Sequence, residues 1–377
     1  MITRVTLENW KNFRKVDVEL ADRMFLVGPN ASGKSNLLDA FRFLCDIAKV
    51  GGGLQKAVND RGGVSKLRCL AARKYTDITV EVTLELNETW RYRIRFNQDN
   101  NRNPILKEEK IWKGDTLLRE RPTEEDKDDP ARMTQTELEQ INANKDFREI
   151  AQYLAGVKYL HIVPQLVREP ERSVGRHGDA YGGDFLEQIA RVPSRTRDSR
   201  LSFIKDALKV AVPQLKELEL YRDERGTPHL RGLYEHWRPK AGWQTEEQFS
   251  DGTLRLMGLL WSLLDGTGLL LLEEPELSLH PEVVRYIPQM IARSQRRRPR
   301  QVLISTHSRD ILEDEDISAD EVLMLVPSPE GTRVLAGKDD EMIHELLEGG
   351  ATIADAVIPR TKPQDASKLS GFGEKVR

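Results

Sequence analysis

The stretch FLVGPNASGKSNLLDAF, residues 25–41, restricts the fold more than any other part of the chain. Its core is Gly28, Pro29, Asn30, Ala31, Ser32, Gly33, Lys34 and Ser35, which satisfies G-x-x-x-x-G-K-[ST] in full. Before it, Met24, Phe25, Leu26 and Val27 make an apolar run of the right length for one buried strand. After it, Leu37, Leu38, Ala40, Phe41 and Leu44 recur at helical spacing. A strand, a glycine-containing loop and a helix start form a cradle for phosphate. Glycines let the backbone turn tightly enough to aim successive N–H groups at one anion, and the helix adds its positive end. Lys34 is expected to reach the terminal phosphates of a nucleotide, and the Ser35 hydroxyl to hold Mg²⁺. This predicts an α/β fold with a phosphate-loop nucleotide site. Kinases, GTPases, helicases and transporters all remain open at this point.

The 377 residues suit one large domain or two. With 61 acidic and 58 basic residues, the global charge argues neither for nor against a nucleic-acid partner. Cys45 and Cys69 are too few for a four-cysteine zinc site, and such sparse cysteine fits a reducing cytoplasm. The N-terminal MITRVTLENWKNF carries no long apolar segment, and no run reaches membrane-spanning length, so a soluble cytoplasmic protein is expected.

Along the chain, residues 2–20 read as two short strands around a turn at 9–14. Ile78, Val80, Val82, Leu84 and Leu86 alternate strictly, and Tyr92, Ile94 and Phe96 continue the pattern, which predicts a half-buried antiparallel sheet. The charged run at 120–150 reads as an exposed, mobile loop or helix. Residues 183–220 look helical, with a break near Pro193, and a second α/β half begins after Phe249. The organisation expected is an N-terminal lobe at 1–120, an inserted charged and helical region at 121–245, a C-terminal lobe at 246–358, and a disordered tail at 359–377.

Three further stretches follow in the second half. In LLLLEEPELSLHP, residues 269–281, a buried strand ends in two carboxylates: Glu273, placed to bind Mg²⁺ directly or through water, and Glu274, placed to orient or deprotonate an attacking water. In VLISTHSRDIL, residues 302–312, His307 stands at the carboxyl end of an apolar strand, where it could reach a terminal phosphate. In QFSDGTLRL, residues 248–256, Ser250, Gly252 and Thr253 precede a leucine-rich helix and make a second anion-binding helix start. One ATP does not need two such starts, but in a dimer the second could close over the partner's nucleotide.

In this order, GPNASGKS, FSDGT, LLLLEEPELSLHP and ISTHS resemble the ABC-type ATPase heads of the RecF, SMC and OLD group over roughly residues 1–330. The fold implied is an α/β head with a mixed central sheet, an antiparallel β-subdomain and an inserted helical region. The resemblance also implies ATP and Mg²⁺ as cofactors and ATP hydrolysis as the activity. Ser250, Gly252 and Thr253 become a signature motif that contacts the nucleotide in trans, Glu274 the catalytic glutamate and His307 the switch histidine. Ser278, Leu279 and His280 become a D-loop at a dimer interface. Within ENWKNFRKV, the resemblance implies that Arg14 or a neighbour touches the nucleotide, and that Gln55 is a candidate Q-loop glutamine linking the metal to lobe movement.

Departures from the group narrow the expectation. No long heptads and no Cys-x-x-Cys hook interrupt the head, SDGTL differs from a transporter signature, and Glu273 stands where Asp is usual. About 50 residues follow the last core strand, too few for the C-terminal nuclease domain of OLD proteins. The expectation is an OLD-like head that forms a homodimer or higher assembly around ATP and acts with a separate nuclease or toxin effector in bacterial anti-phage defence. The alternatives are a RecF-like repair ATPase and a slow-turnover, ATP-gated scaffold. DNA is a further candidate partner, through Arg293, Arg296, Arg297, Arg298 and Arg300, or through Arg191, Arg195, Arg197 and Arg200. The first of these clusters reads more readily as a solvated turn.

Overall fold

The computed structural model describes residues 1–173, 178–179, 181–236, 242–363 and 366–371. The chain divides into two compact units, one of Met1–Val157 with Arg300–Arg377, the other of Lys158–Pro299.

The first unit holds an antiparallel sheet and the strands that carry the phosphate loop. Strands β1 (Ile2–Trp10), β2 (Phe13–Glu19), β4 (Ile78–Glu85), β5 (Thr89–Gln98), β6 (Pro104–Lys113) and β7 (Thr116–Arg121) pair in the order β2-β1-β4-β5-β6-β7. Every pairing is antiparallel, as the alternation predicted, and Val80, Val82, Leu84, Tyr92, Ile94 and Phe96 all point inward. The β1–β2 hairpin closes with Trp10 opposite Phe13, and Lys11 takes the left-handed φ of 51° that such a tight turn requires. In the second sheet region of this unit, β3 (Arg23–Val27) lies between β13 (Val302–Thr306) and β14 (Val322–Ser328), parallel to both. β15 (Gly331–Ala336) returns antiparallel beside β14. Both β3 and β13 are buried throughout, which is why their sequences are apolar without alternation. Helix α1 (Lys34–Ala48) packs Leu37, Phe41, Leu44 and Ile47 into the core and meets α2 (Arg148–Ala155).

The charged run after β7 is tied down, contrary to the mobile loop expected. Arg121 is buried and donates to Asp126 Oδ1 at 2.8 Å, to Gln135 O at 2.8 Å and to Arg132 O at 3.0 Å. Glu109, fully buried on β6, accepts from the backbone N–H groups of Glu137 at 2.7 Å and Leu138 at 3.2 Å. Long-range partners fix what local composition alone would leave solvated. The tail also departs from expectation: after α6 (Glu341–Glu348), residue 359 lies inside a further helix, α7 (Ile353–Thr361), and a short 3₁₀ segment follows at Ala366–Gly371. Residues 364–365 and 372–377 of that tail lie outside the described residues.

In the second unit, β8 (Lys158–Leu160) pairs parallel with β12 (Leu270–Glu273). Helix α3 (Ser194–Ala211) follows a shorter helix, Phe185–Arg191, with the break at Pro193 as predicted. The helical reading fails after residue 214, where β9 (Leu215–Arg222) pairs with β10 (Pro228–Tyr234), and β10 in turn with β11 (Trp243–Thr245). Helix α4 (Asp251–Leu264) is apolar nearly all round and buried, and α5 (Ile287–Arg297) packs beside it, with Ile287 and Ile291 buried and Ser294 Oγ donating to Leu263 O at 2.9 Å.

Candidate functional site

In the first unit, β3 delivers the chain into the phosphate loop with no room to vary. A Cβ on Gly28 would lie 2.5 Å from Ser32 Oγ and 2.7 Å from Leu325 O, so only glycine fits against β14. Ala31 and Gly33 take left-handed φ of 63° and 98°, which turns the loop back so that α1 can start at Lys34. The Lys34 ammonium is buried and donates to Gly28 O at 2.9 Å and Pro29 O at 3.3 Å, lying across the loop's own carbonyls. Asn30, Ala31 and Ser35 are exposed, while Ser32 is fully buried beneath them.

A polar brace, unforeseen in the sequence, holds the loop from behind. Asn12 Nδ2 donates to Ser32 O at 3.0 Å and to Thr332 Oγ1 at 2.7 Å, and Asn12 Oδ1 accepts from Asn36 Nδ2 at 2.8 Å. Thr332 Oγ1 donates to the same Ser32 carbonyl at 2.8 Å, and Trp10 Nε1 donates to Asn36 O at 2.8 Å. A Cβ on Gly33 would meet Asn12 Nδ2 at 2.1 Å, so the glycine is demanded by this contact as well as by its φ. One turn into α1, buried Asp39 bonds Arg61 at 2.9 Å and Lys11 at 2.6 Å. Burial pushes its carboxyl up, but the two cations outweigh that and hold it below the usual carboxylate range.

His307 follows β13 and lines the same cavity as Gly28, Pro29 and Asn30, a space of about 910 Å³. The structure therefore brings the predicted histidine to the predicted loop. Arg14 and Gln55 do not line that cavity. Arg14 bonds Glu330 at 2.5 Å and lines a separate cavity of about 460 Å³. The Gln55 amide donates to Pro104 O at 2.7 Å and Thr134 O at 2.9 Å, where it clamps two backbone segments together. In the ENWKNF stretch the residue that touches the loop is thus Asn12. Its signal was its place in the tight hairpin turn, two residues before Arg14.

The second unit holds the remaining predicted residues. β12 ends at Glu273, whose carboxylate accepts from the Tyr159 hydroxyl on neighbouring β8. Glu274 has a φ of 43°, a left-handed conformation that is costly for a non-glycine residue and typical of strained functional turns. Ser278 is also left-handed at 62°. Ser250 caps α4 as predicted: its Oγ accepts from Thr253 N at 3.1 Å and lies 2.8 Å from Thr253 Oγ1. Arg168 locks this helix start by donating to Phe249 O and Asp251 Oδ1, each at 2.6 Å. Gly252 sits against the turn at Ser278, where a Cβ would lie 2.5 Å from Ser278 O. Burial lowers the Arg255 guanidinium, whose neighbouring charges are Asp251 and Glu274.

Among the described residues, no group of three or more His, Cys, Asp or Glu side chains is placed to hold a metal ion. The loop suits an ion shared with a phosphate chain: Ser35 offers a hydroxyl on the first turn of α1, and the buried Lys34 and the left-handed nest suit the anion.

Residues 23–313 match the family described as "AAA domain, putative AbiEii toxin, Type IV TA system". The chain belongs to this family. The match runs from the start of β3 to just past the His307 segment, so it takes in the phosphate loop, the acidic strand end and helix α4. No curated protein matches the chain. Among solved structures, an SMC head bound to the C-winged helix domain of ScpA is similar with a TM-score of 0.57 at 15% identity, covering 89% of this chain and 96% of that one. An SMC head from Pyrococcus furiosus, with an extended coiled coil and bound to the C-terminal domain of ScpA, gives 0.53 at 13% identity, covering 92% and 99%. One from Pyrococcus yayanosii, with a coiled coil and joint, gives 0.50 at 12%, covering 93% and 99%. At such identities the likeness is one of fold: this AAA-family chain has an SMC-head-like, ABC-type ATPase architecture. Among the described residues, no helix is long and apolar enough to cross a membrane.

Proposed function

We propose that the chain is a Mg²⁺-dependent ATPase that dimerises around ATP and uses the cycle of closure and hydrolysis to control a separate effector in an anti-phage module. The observation that carries this reading is the built signature helix: Ser250 caps α4, Arg168 locks the helix start, and Gly252 abuts the left-handed Ser278. A second phosphate-receiving helix start is superfluous for one chain holding one nucleotide, and it becomes useful when two heads face each other. ATP binds on the loop, with Lys34 on its phosphates and Ser35 holding Mg²⁺, which would polarise the transferred phosphoryl group. Glu274 orients the attacking water and His307 monitors the terminal phosphate. Glu273 acts on the metal side, and Gln55 and Arg14 hold the surrounding segments. The work done on the effector comes from the difference in its affinity for the open and closed heads.

The test is Glu274→Gln in the full chain, followed by native mass and phosphate release with and without ATP. The expected variant accumulates an ATP-dependent dimer or larger assembly and stops turning over. A chain whose mass ignores ATP in both forms refutes the switch and leaves the scaffold reading. A second reading, direct engagement of DNA, is favoured by the approach of Arg297 of α5 to the helix that carries Arg195, Arg197 and Arg200: its guanidinium lies 6.0 Å from the Phe203 ring of α3. Duplex binding that weakens steeply with salt would support it.

A further inference from the structure

Helix α7 belongs to the stretch whose end the sequence suggested was an unstructured tail, yet it is firmly seated in the first unit. Ile353, Ala354, Ala356 and Val357 are buried, and the helix packs against β3 and β14. Its N-terminus carries a capping box between Thr352 and Asp355. Asp355 also accepts from Arg309 at 2.5 Å, two residues beyond His307, so α7 is bonded to the histidine segment. At its other end, Arg360 and Lys362 line the cavity shared by Gly28, Pro29, Asn30 and His307.

The two cations there differ. Arg360 is held by Asp340 and lies 3.1 Å from Met342 Sδ. Lys362 is exposed and has no acidic partner among the described residues. A helix C-terminus carries partial negative charge from its last carbonyls. Beside a polyphosphate that end would repel the ligand unless a cation screened it. Thr361 Oγ1 satisfies the Val357 carbonyl at 3.0 Å, and Lys362 supplies the positive charge one residue further on.

We propose that Lys362 is a second phosphate-binding lysine, acting in cis on the terminal phosphate of ATP held by the loop at residues 28–35 and thereby discriminating ATP from ADP. The proposal rests on the nucleotide reading of that loop. Lys34 belongs to the loop itself, whereas Lys362 lines the cavity that His307 shares with Gly28, Pro29 and Asn30. A terminal phosphate projecting from the loop into that cavity is the group ADP lacks, so the two nucleotides would separate there.

The experiment is calorimetric titration of Mg²⁺ with ATP or ADP into the full chain, its Lys362→Ala and Lys362→Arg variants, and Lys34→Ala. Lys362→Ala is expected to weaken ATP about tenfold while changing ADP by less than about twofold, as for loss of one charge-assisted contact. Lys362→Arg should restore most of the ATP affinity. Equal losses for both nucleotides, or no loss for either, overturn the proposal while leaving the loop reading intact. If the wild-type chain binds neither nucleotide, or Lys34→Ala binds both as well as the wild type does, the loop reading itself fails and the proposal falls with it. Unchanged melting of Lys362→Ala, expected for an exposed residue, excludes misfolding as the cause.

Discussion

Truncating Asn12 to alanine should loosen the phosphate loop without changing a residue of the loop itself. The side chain makes three hydrogen bonds, to Ser32 O at 3.0 Å, to Thr332 Oγ1 at 2.7 Å and from Asn36 Nδ2 at 2.8 Å. At roughly 0.5–1.5 kcal/mol each, their sum is about 1.5–4.5 kcal/mol. Asn12 is half-buried, so water can replace part of this, and the lower end, about 1.5 kcal/mol, is the expected loss in stability. Ser32 O keeps the Thr332 hydroxyl at 2.8 Å, and Thr332 N still donates to Asn12 O at 2.8 Å, so the hairpin itself should survive. What is lost is the wall behind Gly33, whose φ of 98° is held against Asn12 Nδ2. A loop free to sample other conformations binds nucleotide with an affinity reduced by the fraction in which it is competent, here about tenfold if preorganisation accounts for about 1.4 kcal/mol. Urea unfolding gives the first quantity and calorimetric titration of ATP the second. Asn12→Asp sharpens the test: it still accepts from Asn36 but turns an anion toward Ser32 O and the phosphate site, so it should bind ATP more weakly than the alanine variant. If Asn12→Ala unfolds within about 0.5 kcal/mol of wild type and binds ATP equally well, the brace does not preorganise the loop.

Gly252→Ala should destabilise the second unit by about 1–3 kcal/mol, because its Cβ would lie 2.5 Å from a backbone oxygen that can move only by shifting the turn at Ser278; thermal melting and steady-state phosphate release would both fall. Arg121→Ala leaves buried Glu109 without its cation and Asp126 with Arg132 alone, 3.2 Å away, and should cost about 3 kcal/mol, read by urea unfolding, although it lies outside the nucleotide cavity. Burial pushes the Glu109 carboxyl from 4.5 up to about 7, so the folded chain keeps a proton that the unfolded chain releases between those values. That contribution is fully present below about pH 4.5 and lost as pH rises through about 7, at most about 3 kcal/mol. Carboxylates held below their usual range, such as Asp39, lose their contribution only in more acid solution. Unfolding free energy measured from pH 5 to 8 should therefore decline, and Glu109→Gln should flatten the slope.

What could be read from the sequence was what neighbouring residues settle among themselves. Gly28, Gly33, Lys34 and Ser35 carry their geometry within eight positions, and the alternation of Val80, Val82 and Leu84 reports one sheet face directly. Ser250 announces its cap because its partner, Thr253, is three residues away. Where distant partners decide, local pattern misleads. Leu215 and Leu218 are spaced for a helix, yet pairing of β9 with β10 makes this a strand. Arg121 reads as solvated until Glu109 is set beneath it. The same holds at the nucleotide site. The sequence pointed to Arg14 or a neighbour, and behind the loop the need is for a small group that donates and accepts at once, which Asn12 meets with Thr332, 320 positions away. Lys362 is further removed still, brought to the loop only because α7 buries Ile353, Ala354 and Val357 first. Apolar packing of the last helix thus decides where a charge will act. Emptying that packing with Val357→Ala, about 1–3 kcal/mol of lost burial, should therefore weaken ATP more than ADP although Val357 itself does not line the cavity. Equal affinities for ATP in Val357→Ala and wild type would show that α7 holds its register without it.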